Sequence, residues 1–322
     1  MELKINENNQ SEWDEFLFEN NASFLQSFGW GEFQKKFFKK VYRISATEKG
    51  IVVLRALVIK EKFAFKNFFY IPFGPVFDNN ISLEQKKMAF EFFLKEIQKI
   101  AKKENIVFLK IEPKYDLPAV CGFNFCNSLK RIQPQKTLVL DLDKTEQEIF
   151  DNFSKNTRYN IRLAERKGVE IKILNEYSNE FYKLIKKTRE RQGFNSYQED
   201  YYKKFLDIHS ENLKTNLFLA EYQGKVIMAS IVLFFGNKAV SLHTGLDYRY
   251  RKVKASNLLR WRVMQEAKKR GCAEYDFWGI DFEKYPGVSY FKKGFNGKEF
   301  EYAQDKDIVF QKFWYKIYLI IS

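Results

Sequence analysis

One supersecondary unit is written twice into this chain. Two β-rich runs, 41–46 and 51–59, flank Glu48-Lys49-Gly50, a hairpin signal. They lead into a strand at 68–71, a glycine at 74, a long amphipathic helix at 82–104 and a buried-type strand at 106–111. Downstream, strands 217–222 and 226–235 flank Gln223-Gly224. They lead in turn into strand 238–244, Gly245, a helix at 254–270 capped by Gly271, and strand 273–277. Hairpin, strand, helix and strand in that order predict an α/β fold whose mixed sheet is crossed by helices, built twice. A length of 322 residues is enough for two such domains, each with its own core.

Between the two copies lies a basic helix at 154–168, entered through the capping-type stretch Thr145-Glu146-Gln147-Glu148 and a helical turn. Helical patterns also cover 11–20, 179–192 and 198–209. The run 23–38 reads as one helical face from Phe24 and Leu25 to Phe37 and Phe38. After strand 273–277, a loop containing Pro286 and Gly287 is expected to deliver Phe291-Lys292-Lys293-Gly294-Phe295. A lysine between two aromatic anchors has a buried stem and directs its ammonium at whatever lies beside it.

Cys121, Cys126 and Cys272 form no CxxC pair, and His209 and His243 are too few and too far apart for zinc. Reduced thiols, no metal and no cofactor are the expectation. The first ten residues carry no apolar leader core, and no run approaches the ~18–20 apolar residues of a membrane span. A cytoplasmic place is expected. The aromatic and aliphatic segment 313–321 leaves open a peripheral contact at the inner face of a membrane, or burial as core. The net charge of +14 points to nucleic acid, nucleotide phosphates or anionic lipid, and it is weighed as supportive because the chain is rich throughout in Lys, Asn, Ile, Phe and Tyr, the residues of AT-rich codons.

Several segments, in order, carry a resemblance. They are Phe24-Leu25-Gln26-Ser27 with Trp30-Gly31-Glu32-Phe33-Gln34, Ile71-Pro72-Phe73-Gly74-Pro75-Val76, the basic stretch 155–169, Leu219-Ala220-Glu221, Tyr275-Asp276 before Gly279-Ile280, and Phe291-Lys292 through Phe295. Together these resemble the FemABX family (FemX, FemA and FemB) of aminoacyl-tRNA-dependent peptidoglycan transferases, over nearly the whole chain. The resemblance implies tandem GNAT-like domains, the fold of the acyl-CoA N-acyltransferases. Residues 1–142 with 306–322 would bind the peptidoglycan precursor, and 143–305 would bind aminoacyl-tRNA and hold the catalytic lysine. The stretch between 179 and 209 has room for ordinary helices only, so no helical coiled-coil arm is inserted.

In the family reaction a stem-peptide amine attacks the ester that joins an amino acid to tRNA. That chemistry needs a neutral amine, a stabilised oxyanion and a protonated ribose leaving group. The resemblance assigns catalysis to Lys292 and substrate contacts to Gln34, Lys35, Lys36, Tyr70, Glu112, Tyr222, His243 and Phe291. It assigns tRNA contacts to Lys155, Arg158, Arg162, Arg249 and Arg251. Two positions depart from the compact members: Gln34 and Tyr222 stand where basic residues meet the nucleotide diphosphate. That favours a lipid-linked precursor over a UDP-linked one. Two other readings remain open. An acyl-CoA-dependent N-acyltransferase wants a glycine-bearing pyrophosphate loop, and 249–256 has no glycine. A non-catalytic RNA-binding protein needs only the basic helices and aromatic rings.

Overall fold

The computed structural model describes every residue except Phe194, His209 and Ser322. The chain begins with β1 (Glu2–Ile5), α1 (Gln10–Glu19) and α2 (Phe28–Lys35). There follow β2 (Val41–Glu48), β3 (Ile51–Phe63), β4 (Lys66–Pro72), β5 (Val76–Phe77), α3 (Leu83–Lys103), β6 (Ile106–Glu112) and β7 (Phe125–Asn127). Next come β8 (Lys136–Asp141), α4 (Glu146–Asn152), α5 (Lys155–Arg166), β9 (Glu170–Leu174), α6 (Asn179–Gln192) and α7 (Glu199–Leu206). The rest is β10 (Leu213–Tyr222), β11 (Lys225–Phe235), β12 (Lys238–Leu246), α8 (Ala255–Lys269), β13 (Glu274–Asp276), α9 (Pro286–Lys293), β14 (Lys298–Glu301), β15 (Lys306–Val309) and α10 (Lys312–Ile321).

Two compact units result, one of Met1–Gln135 with the chain from Tyr302 onward, the other Lys136–Glu301. In the first, the sheet order is β1-β2-β3-β4-β6-β15-β7; in the second it is β14-β8-β13-β12-β11-β10-β9. The repeated unit is present in both. The hairpins β2–β3 and β10–β11 are antiparallel, whereas β4–β6 and β12–β13 are parallel pairs joined by α3 and α8. Both hairpin turns use left-handed backbone, Lys49-Gly50 and Gln223-Gly224, as two-residue type I′ turns require. Strand β8 lies in the second sheet and the chain leaves it after Glu301, so the units divide a few residues before the 142 and 305 boundaries read from sequence.

Glycines 74 and 245, which the sequence pairs, have one physical role: close approach. A Cβ on Gly74 would lie 2.6 Å from the Gln26 side chain, which donates to Pro72 O (2.6 Å) and accepts from Leu57 N (2.8 Å). A Cβ on Gly245 would lie 2.6 Å from the backbone of Leu184 and Ile185, so α6 rests directly on β12.

Local chemistry also overturns two expectations. The 23–38 segment is not one helix. A 3₁₀ turn at Phe24–Gln26 stops at Ser27, whose hydroxyl accepts from Trp30 N (3.0 Å) and caps α2, while Asp14 accepts from Phe28 N (2.9 Å). The expected loop around Pro286 is instead the start of α9, with Pro286 in its first turn, where a missing N–H costs nothing. Helix α7 ends at Leu206, and the reading of a helix as far as His209 runs outside the described residues.

Candidate functional site

In the second unit, β12 and β13 pair only over Lys238–Val240 and Glu274–Asp276. Beyond Asp276 the chain stays with β8, through Phe277 N to Leu138 O (3.0 Å) and Ile280 N to Lys136 O (2.9 Å), and parts from β12. Just there the backbone turns left-handed at Trp278 (φ 52°) and Gly279 (φ 66°). A tryptophan in that region is strained and persists only when its surroundings hold it. Asp276 Oδ1 holds it from one side, accepting from Trp278 N (2.7 Å) and the Thr137 hydroxyl (2.5 Å).

Lys292 holds it from the other. Its Nζ donates to Trp278 O (2.5 Å) and Gly279 O (2.6 Å). Helix α9 is fixed for this task by Ser289, whose hydroxyl donates toward Asp281 O (2.8 Å) and Tyr285 O (2.9 Å) and accepts from Asp281 N (2.9 Å). Phe295 is fully buried against Phe153, Phe277 and Phe291, with ring centroids 5.1–5.5 Å apart. The two aromatic anchors are therefore packed together and the lysine between them in sequence is buried, but its ammonium ends on two carbonyls rather than in open solvent. Lys292 is only 9% exposed. Burial pushes its pKa down to about 7; Arg260 pushes in the same direction and Asp276 opposes.

Arg260 is a residue that sequence reading missed. It lies in the middle of α8, buried, with Nη1 donating to Ser230 (2.9 Å) and Ser241 (2.5 Å) and Nη2 to Thr244 (2.7 Å), hydroxyls of β11 and β12. Its Nε has no hydrogen-bond partner. A cation inside the apolar stripe Leu258, Leu259, Trp261, Val263 was the available signal.

His243 faces α7. Its ring meets Tyr197, Tyr201, Tyr202 and Phe205 edge-on at 5.1–5.9 Å, beside a bulge in the β11–β12 ladder. Burial among these rings lowers its pKa to about 4. The unfolded histidine protonates near 6.5, so from there down to about 4 only the unfolded chain takes the proton, and stability falls with pH across that window. Substituting His243→Phe removes this contribution. Melting temperatures at pH 6.5 and pH 4.5 are expected to differ less for the variant than for the wild type; an unchanged difference means that His243 is not held neutral.

The other second-unit candidates are placed as follows. Lys155 and Arg162 are exposed on α5, Arg162 lying 5.1 Å over the Phe150 ring. Arg158 Nη1 is used locally, donating to Asp151 O (2.7 Å) and to Phe153 O. The start of α5 is fastened beside Lys292 by Ser154 N to Gly294 O (2.9 Å). Arg249 is paired with Asp247 (2.6 and 2.9 Å), which also takes Lys187 (2.7 Å), while Arg251 stacks 4.6 Å from Tyr248. Tyr222 is half-buried near Tyr250 (6.3 Å). The 3₁₀ turn Tyr248–Val253 and left-handed Lys254 (φ 66°) form the approach to α8.

In the first unit, Gln34 is turned into the fold; Lys35 is exposed and paired with Glu32 (2.8 Å), and Lys36 is exposed at the end of α2. Tyr70 and Glu112 do come together. The buried Glu112 carboxylate accepts from Tyr70 OH (2.7 Å), Gln133 N (2.9 Å) and Ile132 N (2.6 Å). Burial nevertheless raises its pKa, with those three donors opposing. Around it lie acids that the sequence did not flag. Asp305 is paired with Arg131 (3.0 Å) and pushed up to about 7 by burial and by Glu112; Asp307 lies 3.6 Å from Lys110 and accepts from Tyr315 OH (2.8 Å). The signal was the alternation Phe108, Lys110, Glu112 on one face of β6. Among the described residues no group of His, Cys, Asp and Glu could hold a metal, and no helix is long and apolar enough to cross a membrane.

Among solved structures, the fold matches the crystal structure of FemX with a TM-score of 0.79, at 20% identity, over 98% of this chain and 99% of that one. It also matches a tandem GNAT protein from the clavulanic acid biosynthesis pathway at TM-score 0.62 and 11% identity, over 96% and 98%. The class is therefore a tandem GNAT fold, and no coiled-coil arm interrupts it among the described residues. The FemAB family model matches residues 9–122, 119–224 and 211–322, and the chain belongs to that family. Its relatives include a Lipid II:glycine glycyltransferase of Staphylococcus haemolyticus (strain JCSC1435), 30% identical over 160 residues, 45% of this chain and 38% of the relative. Another, from Staphylococcus aureus (strain USA300), is 27% identical over 253 residues, 73% of this chain and 58% of the relative. The chain thus aligns with less than two thirds of the length of either.

Proposed function

We propose that this protein transfers an amino acid from aminoacyl-tRNA to the stem-peptide amine of a lipid-linked peptidoglycan precursor, building an interpeptide bridge. Family membership and the relatives named as Lipid II:glycine glycyltransferases support the reaction class. The observation that carries the reading is Lys292. Its ammonium is oriented by two carbonyls on a left-handed turn, its third N–H has no partner among the described residues, and its pKa of about 7 suits proton traffic at neutral pH. A neutral stem amine attacks the ester carbonyl, the C–O bond to ribose breaks, and the amine's proton ends on the ribose oxygen. Lys292 supplies positive charge at the developing oxyanion or at that leaving oxygen. Lys155, Arg162 and Arg251 supply phosphate contacts on the exposed basic surface.

The test combines charged tRNAs bearing labelled amino acids with lipid-linked and UDP-linked precursors. Label should pass to the lipid-linked acceptor, and tRNA affinity should fall roughly ten- to fiftyfold between 50 and 200 mM salt, as a few phosphate contacts require. A flat salt response would remove nucleic acid from the reaction. Turnover of acetyl-CoA in place of charged tRNA would make the protein an ordinary N-acyltransferase.

A further inference from the structure

The last helix of the first unit has two unlike faces. Tyr315 and Tyr318 of α10 are buried and pack on Phe63, Phe68 and Phe108 of the sheet. The other side presents Phe313 (68% exposed), Ile320 (82%) and Ile321 (55%). The β3–β4 turn brings Phe65 (76% exposed) to the same place, its ring 5.1 Å from Trp314, and Lys66 Nζ lies 4.5 Å over that indole. These residues are some 250 positions apart in sequence and form one patch only because α10 crosses this part of the sheet.

The charge around the patch is of one sign. Lys312 and Lys316 are exposed beside it and Lys66 is half-buried within it. Helix α10 contains no acid; Glu61 is paired with Lys39 (2.6 Å), and Asp307 is buried beneath Tyr315. Aromatic and aliphatic tips ringed by lysines match an interface with acyl chains below and anionic headgroups around. A ten-residue helix is ~15 Å long and lies along such a surface rather than through it.

We propose that Phe65, Phe313, Ile320 and Ile321, ringed by Lys66, Lys312 and Lys316, dock this protein on an anionic lipid bilayer. The inference rests on this surface alone, so it stands or falls separately from the transfer reaction. The full chain is sedimented with vesicles of phosphatidylglycerol mixed with phosphatidylcholine, and with vesicles of phosphatidylcholine alone. Binding should be seen with the anionic vesicles and weaken as salt rises. The combined Phe65→Ser, Phe313→Ser, Ile320→Ser variant should bind at least about tenfold more weakly, with an unchanged melting temperature. Lys312→Gln with Lys316→Gln should weaken binding to anionic vesicles and leave binding to neutral ones as it was. Failure of the wild type to bind anionic vesicles, or binding by the serine variant equal to wild type, would overturn the proposal. So would a lipid-free dimer that the serine variant abolishes, because the patch would then belong to a second copy of this chain.

Discussion

Replacing Lys292 with Met is expected to lower kcat by ~10²–10³, about 3–4 kcal/mol of transition-state stabilisation, with a much smaller change in KM for the precursor. Single-turnover transfer from charged tRNA measures it. Lys292→Arg should recover activity only in part, because a planar fork cannot meet both the Trp278 and Gly279 carbonyls as a compact ammonium does. Lys293→Met is the control: Lys293 is exposed and its nearest carboxylate, Glu299, is 3.8 Å away. Equal losses at 292 and 293 would reduce the segment to a diffuse positive field, and near-normal turnover in folded Lys292→Met would remove the lysine from the chemistry. A stability signature accompanies the kinetic one. Folded Lys292 titrates near 7 and the unfolded lysine near 10.5, so between those values the unfolded chain holds the extra proton. Wild-type stability should therefore rise relative to Lys292→Met as pH increases through that window, with the full cost of the buried ammonium present below 7.

Truncating Glu112 to Ala is expected to destabilise the protein by about 2–4 kcal/mol, seen as a lower midpoint in urea. The reason is subtraction: Tyr70 OH loses its acceptor in a buried place, and Ile132 N and Gln133 N lose theirs in partly buried ones. Glu112→Gln keeps one acceptor oxygen and turns an amide N–H₂ toward a donor, so a smaller loss of about 1–3 kcal/mol follows. Tyr70→Phe removes one of the three donors and should be milder still. Retention of full stability by Glu112→Ala would mean that the 131–133 segment is held by other means. A folded Glu112→Gln with a raised KM for precursor, and kcat intact, is the result that a substrate-binding role requires.

Much of the fold was legible because the signals are local. The apolar, β-rich runs of β3 and β11, the Lys49-Gly50 and Gln223-Gly224 turns and the capping boxes at Ser82 and Thr145 each act within a few residues. Where a local signal was weighed wrongly, a nearer one had priority: Ser27 caps α2 and splits the 23–38 face, and Pro286 opens a helix instead of a loop. Strands β14 and β15 carry almost no pattern of their own, being four residues each and defined by partners, β8 and β6, more than a hundred positions earlier.

The candidate site divides the same way. Its motifs, from Gln26 to Phe295, were visible in order along the chain, and the family they indicated is the one to which the chain belongs. Their uses were not visible. Gly74 and Gly245 are small because Gln26 and the α6 backbone press on them. Glu112 is committed to Tyr70 and to the backbone at 132–133, and Arg249 to Asp247. Arg260 lies among hydroxyls from two strands. By itself the sequence determined the repeated strand and helix order, the turns and the family, because periodicity, capping and left-handed preference are properties of neighbouring residues. The tertiary structure alone decided which charges are buried, what each one faces and how far its pKa moves, because desolvation and hydrogen bonding depend on atoms that distant segments bring within 3 Å.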